Sequence, residues 1–206
     1  MNLNLIRHSS LEEALSLAPK FKDNALIVCK DFAEQELKDF NKLKRKNNVE
    51  IFSCKIFQKK DQNALQKFKK ICDFTAVQGG SVEMHSWACS QKIDLLIDPF
   101  NAEKNCIDLA TCNVLRENNT FVCFTFSAFL QARGFRQTQL LKNASLALGL
   151  LEKAKTPVLF VSGAMKKEEL RAAKDLSSFG VFLGMKKNNA IDCVKRNPEL
   201  FLERLK

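Results

Sequence analysis

Short apolar runs, rich in β-branched residues and phenylalanine, alternate along this chain with longer segments whose apolar residues recur every three or four positions. The eight short runs are Leu3–Ile6, Ala25–Cys29, Val49–Cys54, Phe74–Val77, Leu95–Ile97, Phe121–Phe126, Val158–Val161 and Val181–Leu183. Near-continuous apolarity over so few residues is the mark of parallel strands covered on both faces. Between them, Ser10–Ala18, Ala33–Lys46, Asn63–Cys72, Val82–Gln91, Asn105–Glu117, Gln137–Lys155 and Lys166–Ser177 set an apolar stripe against a charged one, as helices packed on such a sheet do. Ala190–Lys206 follows as a last helical segment, with Pro198 as a break or first-turn residue. The punctuation supports this segmentation. Asp31 and Ser81 stand where helix N-caps belong, Ser81 directly after Gly79-Gly80, and Pro157 opens the seventh run immediately after a long helix.

Eight strand–helix units in 206 residues predict a compact TIM-like (β/α)8 barrel, with residues 1–206 forming one α/β domain. An open doubly wound sheet is the other way to arrange the same elements. Matched short strands and the lack of a G-x-G-x-x-G turn favour the barrel.

No apolar run approaches the roughly 18 residues of a spanning helix, and Met1 to Arg7 shows no basic-then-apolar leader pattern. The expectation is a cytoplasmic protein with no membrane partner. The eight cysteines are expected to be reduced, since Cys29, Cys54 and Cys123 fall inside strand runs, no C-x-x-C occurs, and Cys106 and Cys112 have the wrong spacing for a zinc knuckle. Lysine and arginine outnumber aspartate and glutamate by 33 to 23, a net charge of +10, which favours a polyanionic partner: RNA, DNA or an acidic protein.

A barrel of this kind keeps its chemistry where each strand hands over to its helix. Those positions hold Arg7 and His8, Lys30 and Asp31, Lys55, Gln78-Gly79-Gly80, Asp98, Ser127, Ser162-Gly163, and Lys186 with Lys187. Metal-assisted hydrolysis needs several imidazoles and carboxylates converging on one point. Here only His8, Asp31 and Asp98 are on offer, and the chain has two histidines in all. The second, His85, stands four residues before Cys89 on a helix, and two ligands do not make a stable site. Ser162-Gly163-Ala164 lacks the G-x-S-x-G elbow of a nucleophilic serine, leaving a cap or turn as its reading. Gly79-Gly80 could bring backbone amides to a phosphate, although a lone dipeptide is a weak signal. No catalytic, cofactor or metal site is therefore expected. Basic residues gather at the same positions and nearby: Lys30, Lys55, Arg133, Arg136, Lys166, Lys167, Lys186 and Lys187 are candidates to contact backbone phosphates. Phe135, between two of these arginines, reads either as a base-stacking ring or as a core residue.

Several stretches carry a resemblance to a known family. Gly134-Phe135-Arg136 leads into Leu141-Lys142-Asn143-Ala144, and Pro157-Val158-Leu159-Phe160-Val161-Ser162-Gly163-Ala164 follows. Then come Glu169-Leu170-Arg171 with Asp175-Leu176, and Gly180-Val181-Phe182-Leu183-Gly184-Met185 before Ala190. The earlier half contributes Val77-Gln78-Gly79-Gly80 and Asp94-Leu95-Leu96-Ile97-Asp98-Pro99. In this order and spacing the chain resembles ribonuclease P protein component 3, the archaeal relatives of a thirty-kilodalton eukaryotic subunit.

The resemblance implies a barrel akin to the polymerase and histidinol phosphatase (PHP) superfamily. That superfamily's metal-bearing H-x-H on the first strand is missing here, because Ile6 takes the place of one histidine. It further implies a ribonucleoprotein role in tRNA processing. The chain would assist a catalytic RNA in removing the 5′ leader of precursor tRNA, with magnesium used by the RNA and no cofactor on the chain itself. Component 2 and other protein subunits would be partners, in an assembly often described as a heterotetramer. Arg171 joins Arg133 and Arg136 on the surface that the family is thought to turn toward RNA or partner. The Ala172-Ala173-Lys174 that follows departs from the Gly-Pro common after that arginine. The alternative reading is a PHP-like metal-dependent phosphoesterase working through His8, Asp31 and Asp98.

Overall fold

A computed structural model describes residues 3–7, 25–33, 35–37, 40, 50–103 and 106–205. Among them, seven strands form one all-parallel sheet in sequence order: β1 Leu3–Ile6, β2 Ala25–Lys30, β3 Glu50–Phe57, β4 Phe74–Gln78, β5 Leu95–Ile97, β6 Phe121–Thr125 and β7 Val158–Val161. Neighbouring strands start in step, with Leu3 beside Ala25, Leu95 beside Phe121 and Val122 beside Val158. The sheet curls until β7 returns to β1. There Gly163 N–H donates to Leu5 O at 2.9 Å, Arg7 N–H donates to Ala164 O at 2.8 Å, and Ile6 and Ala164 form a parallel bridge. The Asn4 amide completes this seam by accepting from Ser162 N–H at 2.8 Å. The result is a nearly closed TIM-like barrel.

Side chains divide by the strand period of two. One set, including Leu3, Leu5, Ala25, Ile27, Cys29, Cys54, Phe74, Ala76, Leu95, Ile97, Phe121, Cys123, Leu159 and Val161, fills the barrel interior. The alternate set, including Ile6, Val28, Ile51, Val77, Leu96, Val122, Phe124, Val158 and Phe160, joins the helices in an outer layer. The helices described from end to end are α1 Gln62–Phe68, α2 Val82–Gln91, α3 Leu109–Glu117, α4 Phe126–Gln131, α5 Phe135–Ala154, α6 Ala173–Phe182, α7 Lys187–Asp192 and α8 Arg196–Leu202. Ser81 caps α2 as expected, its hydroxyl accepting from Met84 N–H at 3.1 Å, and Asp61 and Asp108 cap α1 and α3 in the same way. At the strand N-terminal end, Phe201 of α8 enters the barrel and packs on Phe74 at 4.3 Å and on Phe121 at 5.1 Å between ring centroids. It closes the floor.

Several expectations change, and the third strand runs past Cys54 to Phe57, which takes Lys55 into it. The eighth run, Val181–Leu183, is not a strand but the C-terminal turn of α6. Leu176, Gly180 and Leu183 recur at helical spacing on its buried side, and Val181 and Phe182 lie exposed. Gly180 is what lets this helix settle, since a Cβ there would stand 2.8 Å from the Phe160 ring. The run Phe121–Phe126 ends as a strand at Thr125, and Phe126 begins α4. The predicted helix Lys166–Ser177 starts only at Ala173, with a short 3-10 turn at Lys167–Glu169 before it. Asp31 does not cap a helix but pairs with Lys55, and it is Glu36 that takes the Ala33 N–H, at 3.1 Å. Ser10–Ala18, most of Ala33–Lys46, His8 and Val49 lie outside the described residues. No helix among the described residues is long and apolar enough to cross a membrane.

Candidate functional site

The strand parity that fills the barrel with apolar side chains continues upward to its C-terminal mouth, where Arg7, Gln78 and Thr125 are the next inward positions of β1, β4 and β6. They meet Asp98, which follows β5. Arg7 Nη2 donates to Gln78 Oε1 at 2.8 Å and faces Asp98 Oδ2 at 3.5 Å. Asp98 in turn accepts Thr125 N–H at 2.8 Å and the Thr125 hydroxyl at 2.7 Å. One hydrogen-bonded network thus ties the ends of four strands together across the mouth.

Asp98 is buried, and it sits at φ 47°, a left-handed backbone that Asp and Asn tolerate better than most residues. Burial pushes its carboxyl above the usual carboxylate range, while Arg7 and the two Thr125 donors pull the other way. Both carboxylate oxygens are spent on protein donors. This arrangement fixes the mouth. Among the described residues, no group of three or more His, Cys, Asp and Glu converges on one point. Asp31 stands apart from Asp98, its exposed carboxylate paired with Lys55 of β3.

Beside the network lies a cavity of about 230 Å³, lined by Arg7, Asp98 and Thr125 together with Asn101, Gln131, Arg136 and Met165. Arg136 Nη2 donates to Asn101 Oδ1 at 2.6 Å, which brings α5 to the rim. Gln131 reaches Met165 Sδ at 3.4 Å, so the loop carrying Lys166 and Lys167 reaches the same edge. Arg133, Arg136, Lys166 and Lys167 are all exposed, so the structure gathers four of the predicted cations at one side of the mouth. Arg171 stands behind them, and its guanidinium is turned to structural use. It donates to Glu168 O and Leu170 O and covers the Phe126 ring at 5.2 Å. Its backbone N–H and O both engage the buried Ser162 hydroxyl, which makes Ser162 a fastener between β7 and this loop.

The remaining predicted cations are placed differently. Lys30 ends β2, whereas Lys55 lies inside β3, which runs on to Phe57, and both stand at the parity that faces the outer layer. Lys55 is buried there, donating to Phe32 O at 2.8 Å and lying 4.2 Å over the Phe68 ring, and Lys30 pairs with Glu36 at 3.0 Å. Lys186 and Lys187 belong at the mouth only if an eighth strand precedes them. With that run in α6, the chain has already travelled back along the barrel. Asn189 Nδ2 bonds Glu152 Oε1 at 2.8 Å, near the end of α5 that delivers the chain to the start of β7. Both lysines are exposed, away from the mouth.

Gly79 and Gly80 also have local duties. Gly79 N–H donates to Ile97 O at 2.6 Å, and a Cβ at Gly79 would lie 2.6 Å from Pro99 Cα. Gly80 N–H donates to His85 Nε2 at 3.3 Å, and His85 Nδ1 meets Cys106 O at 3.1 Å. A backbone donor on one ring nitrogen and a carbonyl on the other fit a neutral imidazole, and burial lowers its pKa accordingly. His85 therefore locks two loops together. All eight cysteines are free thiols, and burial pushes Cys112 and Cys193 up to about 12 and Cys72 to about 11.

Comparison with known proteins agrees with this geometry. The family described as RNase P subunit p30 matches residues 4–206. Among curated proteins, ribonuclease P protein component 3 of Methanococcoides burtonii is 27% identical over 64% of this chain and 55% of its own length. The same component of Thermococcus gammatolerans is 28% identical over 63% of this chain and 61% of its own. These alignments thus span little more than half of the relatives. Among solved structures, a chain in a cryo-EM structure of archaeal ribonuclease P with mature tRNA superposes with a TM-score of 0.82, at 16% identity over 98% of this chain and 91% of that one. A Xaa-Pro dipeptidase with bound methionine shares the fold at a TM-score of 0.67, with 11% identity over 98% of this chain and 75% of that one.

Proposed function

The chain belongs to the RNase P subunit p30 family, and on that premise we propose that it is a protein subunit of ribonuclease P, assisting a catalytic RNA in removing the 5′ leader of precursor tRNA. It acts as a single barrel domain and contributes binding. Hydrolysis, with its magnesium, belongs to the RNA. The observation that carries this reading is the pairing found at the barrel mouth: four exposed cations, Arg133, Arg136, Lys166 and Lys167, beside a carboxylate whose oxygens are already taken by Thr125 and Arg7. A surface of that kind neutralises backbone phosphates and lowers the repulsion between catalytic RNA and substrate. Lys186 and Lys187, away from the mouth, offer a second basic surface for RNA or for component 2 and the other protein subunits.

The direct test is cleavage of precursor tRNA at limiting magnesium by the RNA alone, by the RNA with component 2, and by the RNA with both proteins. This chain should lower the magnesium requirement. No gain on adding it would refute the proposal. Arg133→Ala combined with Arg136→Ala should also flatten the salt dependence of RNA binding, by about 0.7 to 0.9 in log–log slope for each phosphate that is no longer neutralised. An unchanged slope would show that neither arginine meets RNA.

A further inference from the structure

Phe135, at the first turn of α5, is 85% exposed, the most exposed phenylalanine among the described residues and ahead of Phe182 at 68%. The rings of Phe100, Phe124, Phe129, Phe160 and Phe179 pack against one another in the nearby core, so an inward-facing ring at this junction would have had company. The chain reaches Phe135 through Gly134 at φ 55° and ψ −132°, a conformation that glycine adopts readily and that lets α5 start abruptly. The surroundings of the ring are polar and cationic: Arg133, Arg136, Gln137 and Thr138 are all exposed, and no acidic residue occupies the first turn of the helix. An apolar protein partner would ask for a continuous apolar patch, which these neighbours interrupt. A flat ring among guanidinium groups instead matches a nucleotide, with a π face for the base and positive charge for the phosphate.

We infer that Arg133–Arg136 is a docking site for one unpaired nucleotide, whose base stacks on Phe135 while Arg133 and Arg136 hold the flanking phosphates. Arg136 also lines the mouth cavity with Arg7, Asn101 and Gln131, so the sugar–phosphate chain has polar groups to follow beyond the ring. A base inside a duplex keeps its faces covered by its neighbours, so the site selects loops, bulges or single strands. This inference rests on the reading of the chain as an RNA-binding subunit, and it names the form of RNA that this part of the rim takes.

The test uses the full chain and three fluorescent probes: an unstructured oligoadenylate, an abasic oligomer of the same length and charge, and a blunt RNA duplex. Phe135→Leu keeps an apolar side chain without the ring, and Phe135→Trp keeps the ring. Phe135→Leu should weaken oligoadenylate binding about tenfold, within the range for loss of one base–aromatic stack. It should leave the abasic and duplex probes unchanged, and Phe135→Trp should retain full affinity. If the native chain binds the probes and Phe135→Leu matches it on all three, or weakens all three alike, the stacking site is refuted while the RNA-binding reading stands. If the native chain binds none of them, both fall. The ring is exposed, so both variants should melt at the native temperature.

Discussion

Replacing Asp98 removes the centre of the network that spans the barrel mouth, and the consequences differ sharply between alanine and asparagine. In Asp98→Ala, the Thr125 N–H and hydroxyl lose their acceptor inside the protein, and each buried unsatisfied donor costs about 1–3 kcal/mol, less where the hydroxyl can rotate elsewhere. Arg7 keeps Gln78 and loses its counter-ion. Its side chain is 24% exposed, so water takes up part of that loss and the pair adds about 1 kcal/mol or less. Alanine at φ 47° adds backbone strain of about 1 kcal/mol, which aspartate and asparagine largely escape. The total is about 3–5 kcal/mol. Asp98→Asn keeps one acceptor for Thr125 N–H, tolerates the backbone and relieves the cost of burying a charge, so about 1–2 kcal/mol is expected.

For a chain of this size each kilocalorie lowers the melting temperature by about 2–4 °C, which separates the two variants by roughly 5–10 °C. Thermal and denaturant unfolding of the three proteins gives the ordering directly. Both variants, assayed well below their melting points, should still stimulate the catalytic RNA. An Asp98→Ala protein within about 1 kcal/mol of native would refute the bracing role. A stable Asp98→Asn protein that no longer supported cleavage would show that the carboxylate serves the chemistry.

Gly163→Ala should be at least as damaging as Asp98→Ala. A Cβ there would lie 2.4 Å from Thr125 Cβ at φ 62°, and a loss of about 3 kcal/mol or more, or insoluble protein, is expected in unfolding and expression measurements. Lys55→Met should cost about 1–3 kcal/mol by stranding the Phe32 carbonyl, with RNA affinity unchanged in a filter-binding titration, because the ammonium is already committed inside the protein. His85 has its pKa lowered by burial, so the unfolded chain takes up the proton first as the solution is acidified. Its contribution to stability is complete above the ordinary histidine pKa of 6.5 and is lost as pH falls below it, at up to about 1.4 kcal/mol per pH unit. Unfolding free energies of the native protein and His85→Gln between pH 7 and 5 should therefore converge on acidification.

Where burial on both faces decides the pattern, the sequence is easy to read. β1, β5 and β7 occupy the expected runs, α2 matches Val82–Gln91, and Ser81 and Pro157 act where their chemistry puts them. Val181–Leu183 misleads because three successive apolar residues look like a buried strand. Only the longer spacing Leu176, Gly180, Leu183, with Gly180 allowing contact with Phe160, reveals a helix. The misplacement of Lys186 and Lys187 is a direct result.

Lys30 and Lys55 illustrate a different limit, since the sequence puts both at strand ends, yet β3 runs past Lys55 to Phe57, and nothing in the run announces which way either side chain points. Counting by twos from Cys29 and Cys54, both inside the barrel, turns these lysines outward. The same count from Leu5, Ala76 and Cys123 picks out Arg7, Gln78 and Thr125 as the inward residues of the mouth. Gln78 and Thr125 do not stand out as parts of one network because neither is a catalytic residue type. Their link to Asp98 depends on β4, β5 and β6 being neighbours, which composition and spacing do not specify.

The Phe201 floor makes the barrel depend on a residue far from its strands in sequence. The last of the seven described strands ends at Val161, forty residues before Phe201. Without α8, Phe74 and Phe121 would border an unfilled space at the bottom of the nearly closed ring. A chain cut short before Phe201 should therefore leave those two rings bare at its base and be digested there faster than the full chain.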